Sequence, residues 1–328
     1  MSCLSHLQTC LDNALSACAP VQSERLDLDK AQGAVLAEDI CFIKDIPETA
    51  QALRAGYAVA ALDLVGASAA LPIPLRHTRY VTPGDALPDG CDAVLPASAI
   101  EDTGAGPEAV HCLGPGEGVR RIGHDGRKGS VLLEAGYIFG VRQAFAAAMA
   151  GLTSVMVRRP RFQLDLLDQH QERFAIEWAH SLGAQCGTQR SDLILRTADE
   201  LSPRLAYAPA DTAWLEHTDA GLVLHLPPRF DGFLAGILGL GIPALQHLSG
   251  ATLCQQSRPV TRKITSSVGM AELVLLDKQA DGWAPFPSLN LSVREIAKAA
   301  CFAIIPPESE GLPAGAMLSA ISLDRPFG

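Results

Sequence analysis

Aromatic side chains are scarce in this chain, with 10 Phe, 4 Tyr and 3 Trp among 328 residues. Basic charge is in deficit too: 26 Lys and Arg stand against 36 Asp and Glu, for a net charge of −10. A nucleic-acid groove interleaves cations with stacking rings, and an anionic membrane surface asks for a cationic face. Neither is therefore expected as the main partner. Paired cysteines are missing. Cys3, Cys10, Cys18, Cys41, Cys91, Cys112, Cys186, Cys254 and Cys301 include no CxxC spacing, which leaves a zinc knuckle or a redox pair without support. Their irregular spacing reads as free thiols of a reducing cytoplasm. Long apolar runs are also absent. The most membrane-like stretch, 232–242, falls short of the roughly 20 residues a span needs and meets Pro243. The opening MSCLSHLQTCLDNAL has neither the basic region nor the continuous apolar core of a signal peptide. The expectation is a soluble, cytoplasmic protein with no nucleic acid and no membrane as partner.

The familiar phosphate and hydrolase signatures are missing as well. There is no P-loop, no GxGxxG between a strand and a helix, and neither HExxH nor GxSxG. Gly236, Gly239 and Gly241 lie inside a helical pattern, where close helix packing explains them better.

What is present is architecture. At this length two to four domains are expected. The stretch 114–167 organises the chain. Glycine-marked turns surround an apolar run at 131–133, a helix pattern follows at 141–150, and strand patterns follow at 153–157 and 162–167. Ahead of it, Leu4, Leu7, Leu11 and Leu15 recur at helical spacing with Cys18 extending the stripe, and 26–39 reads as a second helix led by a strand-like LDL. Residues 46–113 are rich in Gly, Pro and Ala, which suits a small β domain inserted into a first module made of 1–45 plus 114–157. Over 158–250 strand signals (162–167, 191–195, 222–226) alternate with helix signals (173–182, 230–238), the texture of a parallel sheet. Residues 251–328 turn β-rich again, with strands at 272–276 and 302–305 and one helix at 293–300.

Several polar groupings could carry chemistry. Asp165, Asp168 and His170 at a strand end could ligate a divalent metal, or Asp168 could simply cap the next helix. His124 and Asp125 between Gly123 and Gly126 could meet an anion, or form a turn in which Asp125 bonds its own backbone. Arg120 with Arg121, and Arg158 with Arg159, could hold phosphate or bridge to carboxylates. His225 and Arg229 bracket a double proline just before a helix start, where free N–H groups would favour an anion; an ordinary proline-ended strand is the alternative.

Seven segments in order carry a resemblance to a known family. They are LDLDKAQGAVLAEDI, IPETAQALRAGYAVAALDLVGAS, LPDGCDAVLP, VRRIGHDGRKGSVLLEAG with VRRPRFQL, LVLHLPPRFDGFLAGIL and EGLPAG. Together the chain resembles the molybdopterin molybdenumtransferases (the MoeA family, with the E domain of gephyrin), which insert molybdate into adenylylated molybdopterin. The resemblance implies a multidomain, mixed α/β and β fold. Its parts are the first module, the inserted β domain, a truncated molybdopterin-binding-type α/β domain over 158–250 and a C-terminal β domain over 251–328. It also implies a homodimer, and a molybdoenzyme or another cofactor-biosynthesis protein as partner.

The departures fall on positions where the family binds its ligands. Its aspartate before Gly56 and Tyr57 is Ala55 here, and a neighbouring Asn and Ser are Gln51 and Ala52. A Ser-Thr-Gly-Asp-Glu strand end reads Leu166 to His170, a ligand-binding lysine is Asp211, and a Gly-Asn-Pro is Pro228, Arg229 and Phe230. A serine-rich loop of the last domain is replaced by Ser292 to Glu295. If the family site were retained, Asp125, Asp168, Asp211, Pro227 and Arg229 would face molybdopterin, molybdate or magnesium; no catalytic residue is assigned. Reversing a unit charge about 4 Å from an anion costs several kcal/mol at an effective dielectric of about 20. Site chemistry thus favours a non-catalytic paralogue acting as a binding or scaffold protein over an active transferase. An enzyme with a rebuilt cleft, using Asp125, Asp168, His170, Asp211 and His225, stands third.

Overall fold

A computed structural model describes residues 5–76, 78–102, 104, 106–187, 191–199, 203–287 and 291–328. The chain divides into two compact units. One comprises 1–39, 133–144 and 154–328; the other comprises 40–132 and 145–153.

The second unit is built of short antiparallel ribbons. Gly56–Val59 lies between Arg79–Val81 and Ala93–Leu95, and Pro107–His111 lies between Ser68–Pro74 and Ile100–Asp102. Small side chains fill the interior, among them Val59, Ala61, Leu64, Ala93, Leu95 and Ala109. The strands approach so closely that a Cβ on Gly56 would lie 2.2 Å from the Leu95 carbonyl oxygen, which only glycine avoids.

In the first unit, Glu24–Asp27 and Val35–Leu36 flank Ser154–Arg158 in an antiparallel sheet. The helix expected over 26–39 does not form. Gly33 adopts φ +83, and after a single i−4 bond from Ala31 N–H to Asp27 O the ladder gives way to distant partners. Gly33 N–H donates to Phe139 O, and Leu36 N–H to Tyr137 O, each at 2.9 Å. Burial of Ala31, Ala34, Val35 and Leu36 outweighs the local helical preference.

The α/β part follows the sequence reading more closely. Its five strands run in the order Gln185–Cys186, Arg161–Asp165, Leu193–Thr197, Gly221–Leu226 and Trp214–Thr218; the first four are parallel and the last is antiparallel. Phe162, Leu193, Leu195, Leu222 and Leu224 alternate onto one face. There they pack with the helices Leu7–Ser16, Gln169–Ser181 and Phe230–Ser249. The helix Gln169–Ser181 begins four residues ahead of expectation because Asp168 caps it.

The predicted break at Pro243 is overturned as well. The helix runs on through Phe230–Ser249 by way of a π turn over Ile237–Gly241, with Ile242 N–H reaching back to Ile237 O. Where the ladder steps between registers, the N–H that proline lacks is tolerated. Among the described residues this helix alone is long and apolar enough to cross a membrane, yet 83% of the relevant window is buried inside the fold. A Cβ on Gly239 would sit 2.5 Å from the Tyr207 hydroxyl oxygen, which in turn donates to Ala235 O at 2.9 Å.

At the C-terminus, Ala271–Lys278, Cys301–Ile305, Met317–Ser322 and Gln255–Pro259 form successive antiparallel neighbours. Trp283–Pro285 pairs with the first of these strands, and Trp283 also bridges to Val260, which brings the sheet round on itself. Val274, Leu276, Trp283, Ala303 and Ile305 fill the interior. The helix expected at 293–300 spans Val293–Lys298, closed by a capping box between Ser292 and Glu295.

Candidate functional site

Open α/β sheets place ligands beyond the carboxyl ends of their parallel strands. In this chain those ends are Asp165, Thr197 and Leu226, and hydrogen bonds draw their loops together. Leu167 N–H donates to Thr197 Oγ1 at 3.1 Å, Ala198 N–H to Leu226 O at 2.7 Å, and Gln171 Nε2 to Pro228 O at 2.7 Å. Asp168, Pro227 and Arg229 lie in these loops.

Their chemistry is turned inward. Asp168 Oδ1 accepts the N–H groups of His170 and Gln171, both at 2.9 Å, so the capping alternative is the one the chain adopts. Asp165 accepts from Arg196 Nε at 2.8 Å and is thus engaged elsewhere. Asp211 accepts from Arg204 Nη1 at 2.7 Å. Arg229 donates through Nε to Asp231 Oδ1 at 2.6 Å, and the same oxygen accepts Gly232 N–H at 2.8 Å. His225 Nε2 lies 3.1 Å from Glu216 Oε1 on the adjacent strand. Among the described residues, no group of three or more His, Cys, Asp and Glu side chains is arranged to hold a metal ion.

Asp231 is the residue that sequence reasoning missed. It is only 6% exposed, in the first turn of the long helix, where backbone N–H groups and the helix dipole attract negative charge. The signal was an acid two residues after Arg229, at a position that ordinarily passes as helix decoration. The donors that would receive an oxyanion here, Arg229 Nε and Gly232 N–H, both point at this carboxylate. The aspartate-filled helix starts and paired arginines therefore do not fit an oxyanion-bearing pterin.

Asp125 belongs to the other unit. Its Oδ1 accepts from Arg120 Nε at 3.0 Å and Nη2 at 2.7 Å, in place of the expected bond to its own backbone, while its N–H donates to Ile46 O at 2.8 Å. Arg121 donates to Pro115 O, and Arg159 to the carbonyls of Lys30 and Gln32. Of the cysteines, Cys10 is buried, which pushes its thiol up to about 11; its sulfur lies 3.4 Å from both the N–H and the carbonyl oxygen of Leu215 on the edge strand. Cys3 and Leu4 lie outside the described residues.

Comparison with known proteins joins these observations. Residues 5–151 match the MoeA N-terminal region (domain I and II). A molybdopterin molybdenumtransferase of Haemophilus influenzae is 32% identical over 131 residues, covering 36% of this chain and 32% of the relative. Molybdopterin molybdenumtransferase 2 of Mycobacterium tuberculosis is 29% identical over 163 residues, covering 44% and 39%. The aligned stretches span between 22% and 39% of the curated relatives' length. A crystal structure of a molybdopterin biosynthesis MoeA protein from Pyrococcus horikoshii OT3 superposes with a TM-score of 0.79. That alignment covers 98% of this chain and 100% of that one at 18% identity, a likeness of fold. By the sequence of its N-terminal region, residues 5–151, the chain is similar to the MoeA family, and along its length it has the MoeA-like fold.

Proposed function

We propose that this chain serves molybdenum cofactor biosynthesis as a cytoplasmic, non-catalytic MoeA paralogue that binds or scaffolds a partner and assembles as a homodimer. One observation carries the reading: at the carboxyl end of the parallel sheet, the chain's own aspartates occupy the places an oxyanion would take. Asp168 fills the start of one helix and Asp231 that of another, while Arg196, Arg204 and Arg229 are each paired with a carboxylate. Transferring molybdate to a pterin requires cations and N–H donors free to meet developing negative charge.

The test is binding of molybdopterin, adenylylated molybdopterin and molybdate to the purified protein by calorimetry. Absence of binding to all three, with a clean dimer by sedimentation, is the expected outcome. Micromolar binding of the adenylylated pterin would return the chain to the transferases that its relatives' names describe.

A further inference from the structure

A groove of about 960 Å3 opens at the other end of the same sheet. Arg161 begins its strand, Asp192 leads into Leu193–Thr197, and Gly221 begins Gly221–Leu226, so the amino ends of the parallel strands make one wall. The segment 18–24 makes the other. It is pinned by Val21 N–H donating to Leu248 O at 2.8 Å and by His247 Nε2 donating to Cys18 O at 2.7 Å.

Here three of the charges are unspent, although Arg159 donates to the carbonyls of Lys30 and Gln32 and Asp192 accepts Arg161 N–H at 2.8 Å. Arg159, Arg161, Glu24, Asp192, Asp219 and His217 line the groove, and no ion pair joins Arg161, Glu24 or Asp219 to another described residue. No Phe, Tyr or Trp among the described residues lines it, so the His217 imidazole is the one ring it offers a nucleobase or flat cofactor, a poor stacking platform. Two guanidiniums against three carboxylates disfavour a phosphate dianion. A ligand carrying both signs satisfies the lining, and an open trough of this size accepts an extended chain better than a compact metabolite.

We infer that this groove docks an extended peptide segment of a partner protein that carries an acidic and a basic side chain close together. The acidic side chain meets Arg161, and the basic one meets Asp219 and Glu24. The inference rests on the scaffold reading for its biological sense, yet its test is separate from pterin binding.

Random short peptides are displayed and selected on the full-length protein, then rebound to Arg161→Glu and Asp219→Lys variants whose folding is verified by circular dichroism and melting. Enriched sequences are expected to pair an acid with a base and to compete with one another. Their affinity should fall at least about tenfold in either variant and weaken with salt. A peptide with its acid changed to lysine should recover binding to Arg161→Glu. Lack of enrichment, or enriched peptides indifferent to both substitutions, would overturn the groove as a docking site whatever the pterin experiment gives. Selective binding alongside pterin binding would instead retain the groove and remove the scaffold reading.

Discussion

Replacing Asp231 by alanine tests the idea that a carboxylate of the chain stands in for an external anion. The buried Gly232 N–H would lose its acceptor, which costs about 1–3 kcal/mol. Loss of negative charge in the first helical turn adds about 0.3–1 kcal/mol. The bond to Arg229 adds little, because that guanidinium is 65% exposed and screened by water. A total of about 1–4 kcal/mol follows from these terms. All three tryptophans, Trp178, Trp214 and Trp283, belong to the unit that contains Asp231, so urea denaturation followed by tryptophan fluorescence reads its unfolding. Inorganic phosphate supplies the second arm. If it occupies the vacated position with a dissociation constant a tenth of the concentration used, it restores about 1.4 kcal/mol to the variant. The parent, with its carboxylate in place, should gain much less. An unchanged midpoint in Asp231→Ala, or equal phosphate responses in the two proteins, would refute the reasoning.

Other outcomes follow from the same geometry. Asp168→Ala should destabilise the protein by about 0.5–2 kcal/mol, with faster amide exchange confined to the first turn of Gln169–Ser181. Gly239→Ala drives a methyl group into the Tyr207 ring and should cost about 1–3 kcal/mol in the same urea assay. Cys10 gives a pH signature. Its thiol is held neutral by burial, with a folded value of about 11 against an ordinary 9.0, so the stability this provides is complete below pH 9 and is lost as pH rises towards 11. Across that window the parent should lose about 2–3 kcal/mol more than Cys10→Ala, the direction set by the folded state holding the proton longer. Brief alkylation at neutral pH should label the exposed Cys112 and Cys186 and spare Cys10, read by peptide mass spectrometry.

The parts of the fold legible in the sequence are those where one periodicity ran unopposed. Leu7, Leu11 and Leu15 announced the first helix, and the apolar runs around Phe162, Leu193 and Leu224 announced the buried parallel strands. Residues 28–36 misled because their local preference is helical, while Gly33, Ala34 and Leu36 find backbone partners at Phe139 and Tyr137, about a hundred residues away. Trp214–Thr218 escaped notice because an edge strand shows one residue type to the core and another to solvent: Leu215 is buried and Glu216 exposed. At the candidate site, the loss of favourable residue types was readable, but the pairings that replaced them were not. Asp165 and Arg196 are separated by 31 residues in sequence, and only the parallel register brings them side by side.

The two ends of the five-stranded sheet make opposite use of charge, and the proposed scaffold reading rests on that contrast. At the carboxyl end, Asp165, Asp168, Asp211 and Asp231 each meet an arginine or a helix N–H within 3 Å, and neutralised pairs of this kind have little left to offer a ligand. At the amino end, Arg161, Glu24 and Asp219 face an open groove without partners among the described side chains. Unpaired charges in a partly enclosed cleft steer and select what approaches, because each is unsatisfied until a partner arrives. Strand ends are also the cheapest place to exchange such roles. Phe162, Leu195 and Leu224 hold the sheet whichever charges stand beyond them, so its two ends can carry different charge patterns on one core.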